Sequence, residues 1–369
     1  MGDLKIVRGA RAPVSVSLEN LEITTLKKTI LAALILGASF RAFAQTFTAQ
    51  QGYTAASLFN TGPGFAISGL GADLSGNLFY IESGNFGGTS DTRLFERKAA
   101  DNFASEISLF SYGAAGVSGS FVRVLGSRVY FGENSAGTIR SVNFDGSAPA
   151  LIATVANNYD LAFSGTAALL SANPAGFAAP DNKVYGLNLT NGQLDTLLDT
   201  GGDYSGPIAI DSAGNLLYGA TNFGAVTGGL FEFLANKVNG VRDPNPQQND
   251  TTLTLADGVR IQNNGNNGYL GLQDDRHLFA LDSPFGSPGI VKRFDLTNTA
   301  IADTVGLTGT GEFFGAAGAT ASGLYVAVSS SFSNGPSTVY RVAAVPEPAA
   351  GALFAAAALL GGFAFFRRK

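Results

Sequence analysis

The groups able to do chemistry in this 369-residue chain are few and poorly spaced for most reactions. There is no cysteine and one histidine, His277, so thiol nucleophiles, cysteine zinc sites and histidine clusters are excluded. A Ser/His/Asp site would need His277 as its base. That residue stands in Asp274-Asp275-Arg276-His277 ahead of an apolar run, the composition of a surface turn, and no Gly-x-Ser-x-Gly elbow supplies a nucleophile. No Gly-x-x-x-x-Gly-Lys-Ser/Thr phosphate cradle is present either. Carboxylates remain. Calcium takes about six to eight oxygens, and Glu82, Glu133, Asp160, Asp211 and Asp282 all lie near the ends of apolar runs. Their irregular spacing is that of ordinary turn acids, so neither catalytic residues nor a metal or cofactor site is assigned, calcium being the one candidate ion. A carboxylate pair for glycoside hydrolysis has no better support. Tryptophan is absent, which leaves tyrosine and phenylalanine as the only stacking surfaces for a sugar.

A different chemistry is written at the C-terminus, where the chain itself reads as a substrate. Val345-Pro346-Glu347-Pro348 is followed by an uncharged run, 349–366, and then by Arg367-Arg368-Lys369. Eighteen residues in a helix span roughly 27 Å, enough for a bilayer core. The terminal cations favour the cytoplasmic side, which places the body across the membrane. Pro346 and Pro348 hold the chain extended around Glu347, the shape a protease or transpeptidase requires. A plain C-terminal anchor whose prolines only stop a helix is the simpler alternative.

This order of segments resembles the PEP-CTERM sorting signal of Gram-negative bacteria: Pro346, Glu347 and Pro348 match its motif, 349–366 its helix, and Arg367, Arg368 and Lys369 its basic end. The resemblance covers residues 345–369. It implies recognition by an exosortase, a membrane-embedded cysteine transpeptidase that removes the helix and passes the protein to the cell surface or extracellular matrix. It implies nothing about the body.

The N-terminal end carries a matching export signal. Lys27-Lys28, the apolar run 29–38 and Ala42-Phe43-Ala44 before Gln45 give a basic region, a short hydrophobic helix and a small-x-small cleavage site. Signal peptidase is expected to cut after Ala44, between Ala44 and Gln45, making 1–44 a leader. Residues 1–25 lengthen that leader unusually, which fits either a true start near Leu26 at a non-AUG codon or simply a long basic region.

Residues 45–348 keep 14 of the 23 Lys and Arg and 25 of the 28 Asp and Glu, a net charge of −11. Such an acidic body without a basic cluster excludes nucleic acid and disfavours anionic lipid as partners. Without disulfides, an exported chain must rely on its core, and about 300 residues suffice for one.

The elements between Gln45 and Ala344 read as β throughout. The chain has 48 glycines and 28 phenylalanines, its apolar runs are short, and no sustained 3.6-residue period predicts a helix. Compact apolar strands begin at Leu78, Val129, Leu169, Leu216, Leu278 and Leu324. Each is followed by an alternating strand, beginning at Arg93, Thr138, Lys183, Leu230, Ile290 and Thr338. Continuous runs suit burial on both faces, and alternation suits one packed and one partly wet face. The spacing of about 40–60 residues between pairs is that of four-stranded propeller blades.

Two turns share Asp-x-x-Gly-Asn-Leu-x-Tyr, at Asp73–Tyr80 and Asp211–Tyr218. Asp is expected to accept backbone hydrogen bonds there, and Gly and Asn to take positive φ. The motif resembles the hairpin of six-bladed propellers of the NHL and gluconolactonase-like kind, which implies an all-β, six-bladed β-propeller over 45–344 between a signal helix and a C-terminal transmembrane helix. The early strand Tyr53–Phe59 is expected to pair with the last blade and close the ring. A β-sandwich or right-handed β-helix is the alternative fold.

The functional expectation is therefore an exported surface or matrix protein, processed by an exosortase, whose non-enzymatic propeller binds exopolysaccharide or a surface protein. The alternative is a calcium-dependent propeller hydrolase or lactonase of the envelope; propellers host both.

Overall fold

The computed structural model describes residues 45–345 apart from 85–90, 116, 165–166, 205, 222–226, 242–251, 264, 284–286, 299–301 and 331–335. The expected leader with Ala42 and Ala44, the motif residues Pro346, Glu347 and Pro348, the apolar run 349–366 and the basic end Arg367, Arg368 and Lys369 lie outside the described residues. No helix among the described residues is long and apolar enough to cross a membrane.

Six antiparallel sheets follow one another along the chain as blades 1 to 6. Their innermost strands are Phe65–Ala72, Gly119–Leu125, Asn158–Ser164, Ile208–Ile210, Asn267–Leu272 and Phe313–Thr320. Each innermost strand neighbours the next, and the sixth returns to the first, so the strands line a central channel. The architecture is a six-bladed β-propeller.

The six apolar runs read from the sequence are the second strands of the blades, and the six alternating runs are the third strands. Burial on both faces explains the second strands. In blade 6, Leu324, Val326 and Val328 pack towards blade 5, while Tyr325 and Ala327 pack towards blade 1. In blade 1, Leu78 and Tyr80 face blade 6, while Phe79 and Ile81 face blade 2. The core is thus divided into six layers, one at each blade junction. Burial of apolar area, worth roughly 25 cal/mol per Å², acts between blades.

Ring closure follows the sequence expectation. Tyr53–Asn60 forms the outermost strand of blade 6, antiparallel to Ser337–Ala344, with Tyr53 opposite Ala344 and Asn60 opposite Thr338. Just ahead of it, Phe47–Ala49 adds a fifth strand to blade 5 along Ala302–Thr308. The first residues of the body therefore fasten two blades at once.

Both turn motifs form, with one correction. Asp73 Oδ1 accepts from Ser75 N and Asn77 N at 2.8 Å each, and Asp211 Oδ1 accepts from Asn215 N at 2.7 Å. Gly76 and Gly214 take φ of +82° and +86°, but the asparagines do not take positive φ. Their amides are used otherwise. Asn77 Nδ2 donates to Asp73 while its Oδ1 accepts Ala99 N, and Asn215 does the same with Asp211 and Ala235 N, tying each turn to the chain leaving the third strand.

A second correction concerns helix. Ala235–Val241 forms a seven-residue α-helix, too short to show a period in the sequence, anchored by fully buried Val238. Beyond it, Leu253–Thr254 pairs in parallel with the outermost strand of blade 3, Leu194–Asp199, so the insertion in blade 4 reaches back to its neighbour.

Candidate functional site

Propeller sites usually sit at the channel, so the residues that line it decide what the body can do. An ion pair occupies it here. Arg123, on the innermost strand of blade 2, places Nη2 2.5 Å from Oδ1 of Asp160 on that of blade 3. Arg123 Nε and Nη1 also donate to Leu161 O and Val122 O, each at 3.0 Å. Asp160 Oδ1 accepts Leu161 N at 2.8 Å, and Oδ2 accepts Ile208 N of blade 4 at 3.0 Å. The guanidinium carbon lies 5.1 Å from the ring centroid of Tyr269 on the far side, in blade 5, within cation–π range. Tyr269 in turn accepts Ala319 N of blade 6 at 2.8 Å, and Tyr159 Oη donates to Gly268 O at 3.1 Å.

This network joins the innermost strands of blades 2 to 6 through the channel. Burial pushes the Asp160 carboxyl up, and Arg123 together with the two backbone N–H groups opposes the push. Each nitrogen of the Arg123 guanidinium and each oxygen of the Asp160 carboxylate thus has a protein partner.

The other four candidate acids are scattered. Glu133, almost fully buried, caps its own turn by accepting from Ser135 Oγ and from Ala136 N. Asp282 pairs with Lys292 at 3.3 Å and accepts Asn266 N. Asp211 holds the turn between the first and second strands of blade 4, whereas the turn that Glu133 caps joins the second and third strands of blade 2. Glu82 lies at the blade 1 to blade 6 junction. Among the described residues no group of three or more His, Asp or Glu side chains is placed to hold a metal ion. His277 opens the second strand of blade 5, His277–Asp282, directly after the turn Asp274-Asp275-Arg276, with its Nδ1 2.9 Å from Asp274 Oδ2.

Glu82 nevertheless has a measurable signature. Burial first, then the Glu106 carboxylate, raises its pKa from 4.5 to about 7, against the pull of Arg97 and Arg93. A folded-state pKa above the unfolded one means that the folded protein binds this proton more tightly. The stability it contributes is full below pH 4.5 and is lost as the pH rises towards 7. Glu82→Gln is expected to flatten that part of the melting-temperature profile and to raise the melting temperature at pH 8, read by calorimetry across pH 4 to 8.

Sequence reasoning missed two polar constructions. One is the Arg123–Asp160–Tyr269 plug, whose only signal was a lone arginine inside the apolar run Phe121-Val122-Arg123-Val124-Leu125. The other lies between blades 3 and 4, where fully buried Asp203 accepts Tyr218 Oη at 2.5 Å, Thr221 Oγ1 at 2.6 Å and Tyr204 N at 2.9 Å. Asn182 Nδ2 donates to the same tyrosine oxygen at 2.9 Å. With no water-facing side, this cluster locks the junction rather than receiving a ligand. An open groove of ≈ 370 Å³ at the blade 2 to blade 3 junction is lined by Arg128, Ser141, Leu151, Thr190 and Asn191 among others.

No protein-family model and no curated protein sequence matches the chain. Solved structures do. A gluconolactonase from Xanthomonas campestris aligns with a TM-score of 0.54 at 14% identity, over 80% of this chain and 91% of that one. A calcium-binding protein, regucalcin, from Agrobacterium tumefaciens aligns with a TM-score of 0.49 at 14% identity, over 80% and 97%. A chain of a nidogen/laminin complex aligns at 0.49 and 10% identity, over 71% and 92%. At such identities the gluconolactonase likeness concerns the propeller fold alone.

Proposed function

We propose that the protein is exported, sorted by its C-terminal signal through an exosortase, and displayed as a non-enzymatic propeller at the cell surface or in the matrix. The observation that carries the non-enzymatic part is the ion pair between the innermost strands. Asp160, a buried carboxylate there, is held by Arg123 and two backbone N–H groups, whereas hydrolysis would need a carboxylate or an ion free to meet substrate. The gluconolactonase likeness, being one of fold, does not supply those groups.

Where the fold ends supports the sorting part. The last strand stops at Ala344, and Val345 N donates to Gly52 O at 2.8 Å. The ring is thus closed before Pro346, with the strand pairing of the described residues all ahead of the motif. The body, with its charge of −11 and the polar groove between blades 2 and 3, fits a neutral exopolysaccharide or a basic protein surface better than an anionic polymer.

The test is a triple replacement, Pro346→Ala, Glu347→Ala and Pro348→Ala, in the native host. It is expected to trap the full-length chain in the inner membrane, with loss of the surface and medium forms. Unchanged surface delivery of the variant would reduce the tail to an ordinary anchor.

A further inference from the structure

Gln45, the residue that the expected signal cleavage exposes as a new N-terminus, is not a loose end. It is 3% exposed. Its Oε1 accepts Thr338 Oγ1 at 3.0 Å, and its backbone carbonyl accepts Tyr340 Oη, both partners lying on the closing strand of blade 6. The next residues are held as firmly. Glu312 Oε2 accepts Thr46 N at 2.9 Å, Thr46 Oγ1 at 3.0 Å and Gly309 N at 3.0 Å. Phe47 stacks between Tyr340 and Phe314, with ring centroids 5.8 and 6.3 Å away.

This seat uses two acceptor oxygens of Gln45, and neither of those contacts asks for a charged α-amine. A cleaved chain with an open N-terminus would bring an ammonium into a nearly closed site, beside a carboxylate oxygen already receiving three donors. Removing an ion from water without a new partner is costly. From this we infer that the mature protein carries pyroglutamate at position 45, formed from Gln45 after signal cleavage; the inference rests on the export reading above.

The chemistry is self-contained. The α-amine nitrogen bonds to Cδ of the side-chain carboxamide, the Cδ–Nε2 bond breaks, and ammonia leaves with a proton from the amine. No oxidant or co-substrate is consumed. Oε1 stays as the lactam carbonyl oxygen, so the acceptor for Thr338 Oγ1 is retained, and the backbone carbonyl for Tyr340 is untouched. The positive charge disappears.

The experiment is mass spectrometry of the N-terminal peptide from the processed protein, harvested from the native host directly into acid so that cyclisation after harvest is not scored. The expected result is a peptide starting at residue 45 and lighter than its sequence by one ammonia in nearly all molecules. A peptide starting at unmodified Gln45 overturns the modification and leaves the export reading intact. A start at any other residue overturns both. As an independent readout, Gln45→Ala, which cannot close the lactam and lacks Oε1, is expected to melt at a lower temperature than the processed wild type; equal melting temperatures would contradict a role for the seated N-terminus.

Discussion

Replacing Arg123 by methionine is expected to destabilise the propeller by about 3–5 kcal/mol at neutral pH, the usual cost of leaving one member of a buried ion pair behind. The arginine supplies Asp160 with its only cation, keeps Leu161 O and Val122 O paired, and rests over Tyr269. Methionine fills much of the space and provides none of those contacts. Urea titration at pH 7 reads the loss as a lower midpoint. The deficit should shrink as the pH falls, because an unpaired Asp160 can take up a proton. Arg123→Met with Asp160→Asn should cost less than the two single changes summed, since the residues are in contact. A variant as stable as the wild type would show that the pair between the innermost strands contributes nothing and would weaken the non-enzymatic reading that rests on it.

The larger effect is expected from the N-terminal strap. Deleting residues 45–60 removes the fifth strand of blade 5 and the outermost strand of blade 6 together. It exposes the edge of Ser337–Ala344 and strips Phe59 from Tyr80, whose rings lie 5.2 Å apart across the junction with blade 1. Domains hold only about 5–15 kcal/mol of net stability, and an open ring with a bare strand edge invites pairing with other chains. The truncated protein is expected to be aggregated or unfolded by size-exclusion chromatography and circular dichroism. A monomer with native melting behaviour would mean that blades 1 to 6 close without the strap.

Much of the fold was legible because propeller blades write their middle strands plainly. Leu78–Ile81 and Leu324–Val328 are buried on both faces, so they read as unbroken apolar runs. The innermost strands were illegible for the opposite reason. Phe65–Ala72 and Phe313–Thr320 are rich in glycine and alanine, residues of low strand propensity. Crowding at the channel demands them: a Cβ on Gly71 would lie 2.8 Å from Val122 O on the neighbouring strand. The helix Ala235–Val241 escaped because seven residues carry under two full turns of pattern.

The site was less legible than the fold. The irregular spacing of Glu82, Glu133, Asp160, Asp211 and Asp282 reads as that of ordinary turn acids, and of the five Asp160 alone pairs with a cation on a neighbouring innermost strand, because the direction of each strand and the phase of its alternation decide where a side chain goes. Arg123 stands alone among apolar residues in 121–125, and its partners Asp160 and Tyr269 come from blades 3 and 5, so no local pattern joins them. Asp203 gave no signal, since its partners Asn182, Tyr218 and Thr221 come from two blades.

The most direct test of the account is the intact mass of the protein recovered from surface and medium fractions of the native host, with and without its exosortase. The expected species begins at residue 45 and ends near Pro348 only when the exosortase is present. A full-length hydrophobic tail in both strains would contradict it and leave an anchored propeller of unassigned purpose.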